Sequence, residues 1–343
     1  MKTMKAMLLR RQAPVEQDPL ELVELEVPRP GAGQVLLRVL SCGVCHTDLH
    51  TVEGDIPLKK TPVVPGHQIV GVVEESGSGV VGVAVGDRLG VAWLHWTCGA
   101  CRFCLRGSEN LCENARFTGY DVDGGYAEFA LAEADFCYRI PEAFNSIQAA
   151  PLLCAGIIGY RSLRLSDVAP GEVLALYGFG ASAHVCIQVA VHRGAKVVVF
   201  SRDREHRALA LRLGALWAGE PGQVPPLKPD RAIIFAPAGA LVREALGLVE
   251  KGGTVALAGI HMDAIPELDY ERHLYHEKTL KSVTASTRED GAGLMREASE
   301  VPVRTETETF ALEDANRALR LLKQSKIRGA GVIRIGHAGN PAS

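Results

Sequence analysis

The stretch Leu174-Ala175-Leu176-Tyr177-Gly178-Phe179-Gly180-Ala181-Ser182-Ala183 decides how half of the chain must fold. Val173–Leu176 is an apolar run of strand length, and Ala181–His192 reads as a helix. Between them stands Gly-x-Gly-x-x-Ala, with the glycines at 178 and 180. Glycine lets backbone approach a ligand closely, and the first turn of a helix offers unpaired N–H groups to an anion. A strand, this turn and a helix in that order mark a dinucleotide pyrophosphate site, for which Gly178, Gly180 and Ala181 are the candidates. A mere tight turn is the plainer alternative.

Working outward, strand and helix keep alternating. Lys196–Phe200, Arg231–Phe235 and Thr254–Leu257 read as strands; Arg204–Leu213 and Leu241–Glu250 read as helices. That alternation predicts a doubly wound parallel sheet. Prolines 221, 225, 226 and 229 break the stretch between Trp217 and Arg231, so one crossover is expected to be an open loop. An acidic residue at the end of the second strand would hold a ribose 2′-hydroxyl. Here the residues are Phe200-Ser201-Arg202-Asp203. Ser201 carries no carboxylate and Arg202 suits a phosphate, which favours NADP; Asp203 keeps NAD open.

The first ~150 residues have another texture. Strand-like runs at Val35–Leu40, Ile69–Glu74, Val80–Leu89, Tyr126–Leu131 and Phe136–Ile140 are punctuated by Gly and Pro, as in an antiparallel β region. Ala149–Leu165 reads as one apolar helical run. After Ala298 the β texture returns, followed by a helix over Glu313–Gln324 and a strand over Gly331–Ile335. The tail past Gly336 is expected to be loose. A chain of 343 residues calls for two domains. A net charge of −3 argues against a general nucleic-acid binder. No apolar run is of membrane-spanning length and the N-terminus lacks signal-peptide character, so the cytoplasm is the expected location.

The nine cysteines are odd in number and four are bunched, which favours metal over disulfides. Cys98, Cys101, Cys104 and Cys112 place four soft ligands on one loop. A full set of four leaves no open coordination position, so a structural zinc is expected; an iron–sulfur cluster or a zinc-ribbon module would use the same residues. A second group is more scattered. Cys42-Gly43-Val44-Cys45-His46-Thr47-Asp48-Leu49-His50 follows a strand-like run and is expected on a loop. Cys45 and His67 are candidate ligands there, and Cys154 could supply a third. Each has a plainer reading, a satisfied histidine or a buried core thiol. Two thiolates and an imidazole would leave a fourth position open, the catalytic form of a zinc site. Asp48 could accept the second ring proton of His67.

Together these residues resemble the zinc-dependent medium-chain alcohol dehydrogenases. Gly66-His67 with Gly71, Gly77 and Val80 is similar to the family's zinc signature. The four-cysteine lobe, Cys45 to His50, and Ala150 to Gly156 around Cys154 also fit. The resemblance implies an α/β chain: a GroES-like β-rich catalytic domain over 1–153 and 297–343, and a doubly wound Rossmann cofactor domain over 154–296. It implies that Cys45, His67 and Cys154 hold a catalytic zinc and the four-cysteine loop a second, structural one. It also implies that Thr47 bonds the substrate oxygen, His50 ends a proton relay, His46 lies near the pyrophosphate and Arg288 contacts the cofactor. The expected activity is reversible hydride transfer between a small-molecule alcohol and NAD(P), giving an aldehyde or ketone, in a homodimer or homotetramer.

Two features depart from the family. Gln68 stands where it usually has Glu, and the crossover near Pro221–Pro229 is short. Trp93 either narrows the substrate pocket or is a core aromatic. A related enzyme of an aryl alcohol, polyol or quinone, and a non-catalytic zinc-binding protein on the same fold, are the competing readings.

Overall fold

A computed structural model describes residues 2–301 and 303–336; the tail past Gly336 lies outside them. The described residues fall into two compact units. One is drawn from Met1–Cys154, Ser286–Ser299 and Arg304–Ser343, the other from Ala155–Ala285 and Glu300–Val303. The expected boundary at 297 would give 286–296 to the second unit. No helix among the described residues is long and apolar enough to cross a membrane.

The second unit is built on a six-stranded sheet. Its order is Trp217–Gly219, Lys196–Phe200, Val173–Tyr177, Arg231–Ile234, Thr254–Leu257, Thr279–Ser282, and every pairing is parallel. Every residue of Val173–Tyr177 is buried, as expected of a central strand covered on both faces. The chain order reverses next to this strand, with the second strand on one side of it and the fourth on the other. Such a switch point is where open α/β sheets bind ligands. The helices Ala181–His192 and Arg204–Arg212 follow the first two strands, and Trp217–Gly219 passes to Arg231 through the Pro-rich segment without a helix.

In the first unit a seven-stranded sheet runs Thr307–Ala311, Ala330–Arg334, Gln34–Val44, Gln68–Ser76, Arg88–Val91, Cys137–Arg139, with Phe129–Glu133 also paired to Gln34–Val44. Its pairings are antiparallel except the first. Apolar residues from these strands form one core with Leu49, Val52 and the helix Ala315–Lys323. That core fixes the long central strand, whose far end carries the site.

Several elements differ from expectation. Cys42 to His50 is no loop: Gln34–Val44 runs through Cys42, and His46–Glu53 is an α-helix. The helical run 149–165 is broken into a short helix Ser146–Ala149, a 3-10 turn Ala150–Leu153 and the helix Ala155–Ser166. Within Val80–Leu89 only the end is extended, in Arg88–Val91. The strand Thr279–Ser282 and the helix Arg288–Glu300 carry no periodic signal read above. Gly291 explains part of this: a Cβ there would lie 2.4 Å from the Tyr138 ring, so packing demands a helix-weakening glycine.

Candidate active site and metal lobe

Strand register brings two distant candidate ligands together. Gly43 pairs with Gln68 across the antiparallel ladder. Cys45 and His67 stand two residues and one residue beyond that rung, just off the ends of their strands. Cys45 keeps an extended backbone (φ −141°, ψ 179°) as the N-cap of His46–Glu53, so its sulfur stays at the strand end. The third candidate ligand comes from the break in the helical run. Cys154 leaves helical geometry (φ −132°, ψ −74°) between the 3-10 turn and the next helix.

The three donor atoms lie within 4.8 Å of one another. Cys45 Sγ is 3.5 Å from His67 Nε2 and 3.9 Å from Cys154 Sγ. Zinc–ligand bonds of ~2.3 Å to sulfur and ~2.0 Å to nitrogen in a tetrahedron put two sulfurs about 3.8 Å apart, and a sulfur and a nitrogen about 3.5 Å apart. The donor set therefore fits one zinc ion with a fourth position open.

Asp48 organises this group. One carboxylate oxygen accepts the Cys45 backbone N–H at 2.9 Å, and the other is 3.0 Å from His67 Nδ1. With Nδ1 as the donor to Asp48, Nε2 presents its lone pair to the sulfurs, the tautomer a metal requires. Burial by itself would push the His67 imidazole down, but Asp48 and Cys45 outweigh it and raise it well above its usual range. The adjacent Cys154 sulfur, with burial second, raises the Cys45 thiol well above a free thiol. Side chains that hold protons this tightly form a pocket with an excess of negative donors, which a divalent cation satisfies. Gln68 is buried, and among the described residues its Nε2 has no hydrogen-bond partner.

The helix beginning at His46 sets the remaining residues. Thr47 is buried in its first turn. His50, three residues on, shares that face, and its Nδ1 lies 2.7 Å from Asp55 Oδ2. The rings of His46 and His50 are 6.4 Å apart. Trp93 is half-buried and meets the His67 ring edge-on at 5.2 Å; it stacks on Phe117 and tilts against Tyr120. An aromatic wall thus stands directly beside His67, one of the candidate metal ligands.

Cys98, Cys101, Cys104 and Cys112 converge in the lobe, all as free thiols. Sulfur–sulfur separations of 3.5–3.9 Å match a tetrahedron around a single ion. A multinuclear iron–sulfur cluster would hold its cysteines farther apart. The N–H groups of Ala100 and Cys101 hold the Cys98 thiol down to about 6, so a thiolate ligand is ready at neutral pH. Next to the lobe, Glu109 binds the Arg288 guanidinium through both oxygens, at 2.8 and 3.1 Å among others, and accepts the Arg288 backbone N–H. A separation of 179 residues hides this partnership from any local reading. No sequence motif marks Asp55 as the partner of His50.

In the glycine turn, Gly178 adopts φ +86°, and a Cβ there would lie 2.9 Å from the Ala236 backbone N. Gly180 is different: a Cβ would meet nothing within 4 Å. Protein packing does not require that glycine, whereas a ligand lying against the helix start would. Ser201 is buried after the second strand, and Arg202 is exposed. Asp203 spends its carboxylate as the N-cap of Arg204–Arg212, accepting from the His206 N–H at 2.9 Å.

Comparison with known proteins agrees with this anatomy. Residues 31–142 match the alcohol dehydrogenase GroES-like domain, and residues 183–300 match the zinc-binding dehydrogenase family. A probable alcohol dehydrogenase of Mycobacterium tuberculosis is 47% identical over 97% of this chain and 98% of its own. An alcohol dehydrogenase of Geobacillus stearothermophilus is 38% identical over 95% of this chain and 99% of its own. Among solved structures, a cobalt- and zinc-bound thermostable alcohol dehydrogenase from Pyrobaculum aerophilum superposes with a TM-score of 0.87 at 28% identity, covering 97% of this chain and 100% of that one. The chain belongs to the zinc-dependent medium-chain alcohol dehydrogenases. It is an oxidoreductase acting on alcohols, with zinc and a nicotinamide cofactor.

Proposed function

We propose that this enzyme interconverts small alcohols and their aldehydes or ketones with NADP in preference to NAD, and carries two zinc ions per chain. Cys45, His67 and Cys154 hold the catalytic ion, and Cys98, Cys101, Cys104 and Cys112 the structural one. The observation that carries the reading is the Cys45–His67–Cys154 triangle, whose edges suit one tetrahedral ion with an open position.

When bound, zinc polarises the substrate oxygen as a Lewis acid and the nicotinamide exchanges a hydride with the substrate carbon. The chain's own residues handle position and proton. Thr47 faces the substrate from the first helical turn, and its hydroxyl accepts the proton of the alcohol as it releases its own toward His50. His50 passes that proton to solvent, and Asp55, 2.7 Å from its Nδ1, holds the ring in place. Trp93, Phe117 and Tyr120 exclude water from beside His67 and limit the bulk of the substrate. His46 and Arg288 steady the cofactor phosphates, and Gly178, Gly180 and Ala181 receive the pyrophosphate. Ser201 and Arg202 take the 2′-phosphate. The helix cap made by Asp203 supports this choice, since its carboxylate is engaged away from the ribose. Like its relatives by resemblance, the enzyme assembles as a homodimer or homotetramer in the cytoplasm.

The same aromatic wall favours a second reading, in which an aryl alcohol stacks on Trp93. A panel of ethanol, butanol and benzyl alcohol, run with NADP and NAD side by side, decides. Faster turnover of the aliphatic alcohols with NADP supports the first reading. Faster benzyl alcohol oxidation supports the second, and equal use of NAD overturns the cofactor preference.

A further inference from the structure

The turn after the second strand of the parallel sheet is held from behind by an arginine that no reading above employs. Arg207 Nη1 donates to the carbonyl of Ser201 at 2.7 Å and to that of Arg202 at 2.9 Å. The same nitrogen is paired with Glu220, 3.2 Å away, just past the edge strand Trp217–Gly219. The turn is further fixed by the Asp203 N–H, which donates to Ser201 Oγ at 3.3 Å, and by the Ser201 N–H, which donates to the Gly219 carbonyl at 2.9 Å. Carbonyl oxygens are the backbone groups that repel a phosphate. Arg207 draws both of them to one side and neutralises them there. The Ser201 hydroxyl keeps its own proton to give, and the Arg202 guanidinium is exposed without an acidic partner among the described residues.

We propose that Arg207 is a positioning residue for coenzyme choice. It fixes the Ser201–Arg202 turn so that the hydroxyl and guanidinium meet the 2′-phosphate, without touching the coenzyme itself. This rests on the NADP reading above and deepens it.

The test is direct titration of the full-length protein with NADPH and NADH, followed by fluorescence, for wild type, Arg202→Ala, Arg207→Met and Arg207→Lys. Arg207→Met is expected to weaken NADPH binding about tenfold, the worth of a hydrogen bond to a charged group, while NADH affinity stays within about twofold. Arg207→Lys, which keeps the charge and part of the hydrogen bonding, should lose less. If Arg202→Ala weakens NADPH but Arg207→Met does not, the positioning role is overturned while the NADP reading stands. Equal weakening of both coenzymes by Arg207→Met also overturns it, because a merely structural residue would do that. If Arg202→Ala leaves both affinities unchanged, the NADP reading itself fails and takes the inference with it. Should Arg207→Met not fold, Arg207→Lys decides: a loss confined to NADPH supports the role, and unchanged or equally weakened binding ends it.

Discussion

Asp48 and His67 form a pair that is almost wholly buried, with 3.0 Å between carboxylate and imidazole and exposures of 3% and 1%. The second oxygen of Asp48 grips the Cys45 backbone. One carboxylate thus orients two of the three candidate metal ligands, while sitting only three residues from one of them.

Asp48→Asn should therefore weaken the catalytic metal without unfolding the lobe. Loss of such an outer partner typically costs 10- to 100-fold in metal affinity. Chelator competition would show one zinc released early and the four-cysteine zinc retained. Release of both ions at the wild-type rate would contradict the role given to Asp48.

His50→Gln should slow alcohol oxidation and alter its pH profile, because Gln cannot take the relay proton. Metal content should not change. A slower enzyme with the wild-type profile would remove His50 from the relay.

His184, on the helix after the glycine turn, sets a pH limit on stability. Burial, then the neighbouring His206, pushes its imidazole down from 6.5 to about 4, and its Nε2 meets the Phe179 carbonyl at 3.1 Å. Between about 4 and 6.5 the unfolded chain binds the proton that the folded chain refuses. Stability is therefore full above 6.5 and is lost as pH falls through that window, by about 2 kcal/mol at pH 5. Urea midpoints at pH 7 and pH 5 should differ more for wild type than for His184→Gln. Equal differences would show that His184 does not titrate this way.

How much of this could be read from sequence varies with the range of the cause. The parallel sheet was legible because its strands are continuous apolar runs; Ala181–His192, Lys196–Phe200 and Thr254–Leu257 appear at their expected bounds. The four-cysteine cluster was legible because one loop supplies it. The helix His46–Glu53 was hidden, since its buried face mixes Thr47, Asp48 and Thr51 with Leu49 and Val52 and shows little apolar periodicity. The break at Cys154 was equally hidden. The local sequence is uniformly apolar, and nothing in it signals that the backbone turns out of the helix there. Glu109 and Arg207 act through partners that only the folded chain supplies: Arg288 for one, the carbonyls of Ser201 and Arg202 for the other.

The central claim is that positions 45, 67 and 154 gather one ion that the reaction requires, apart from the lobe's ion. Metal content and alcohol oxidation of Cys45→Ser, measured on the same preparation, test it most directly. One zinc per chain where wild type has two, a folded protein and no alcohol oxidation are predicted. Undiminished oxidation by this variant would contradict the account.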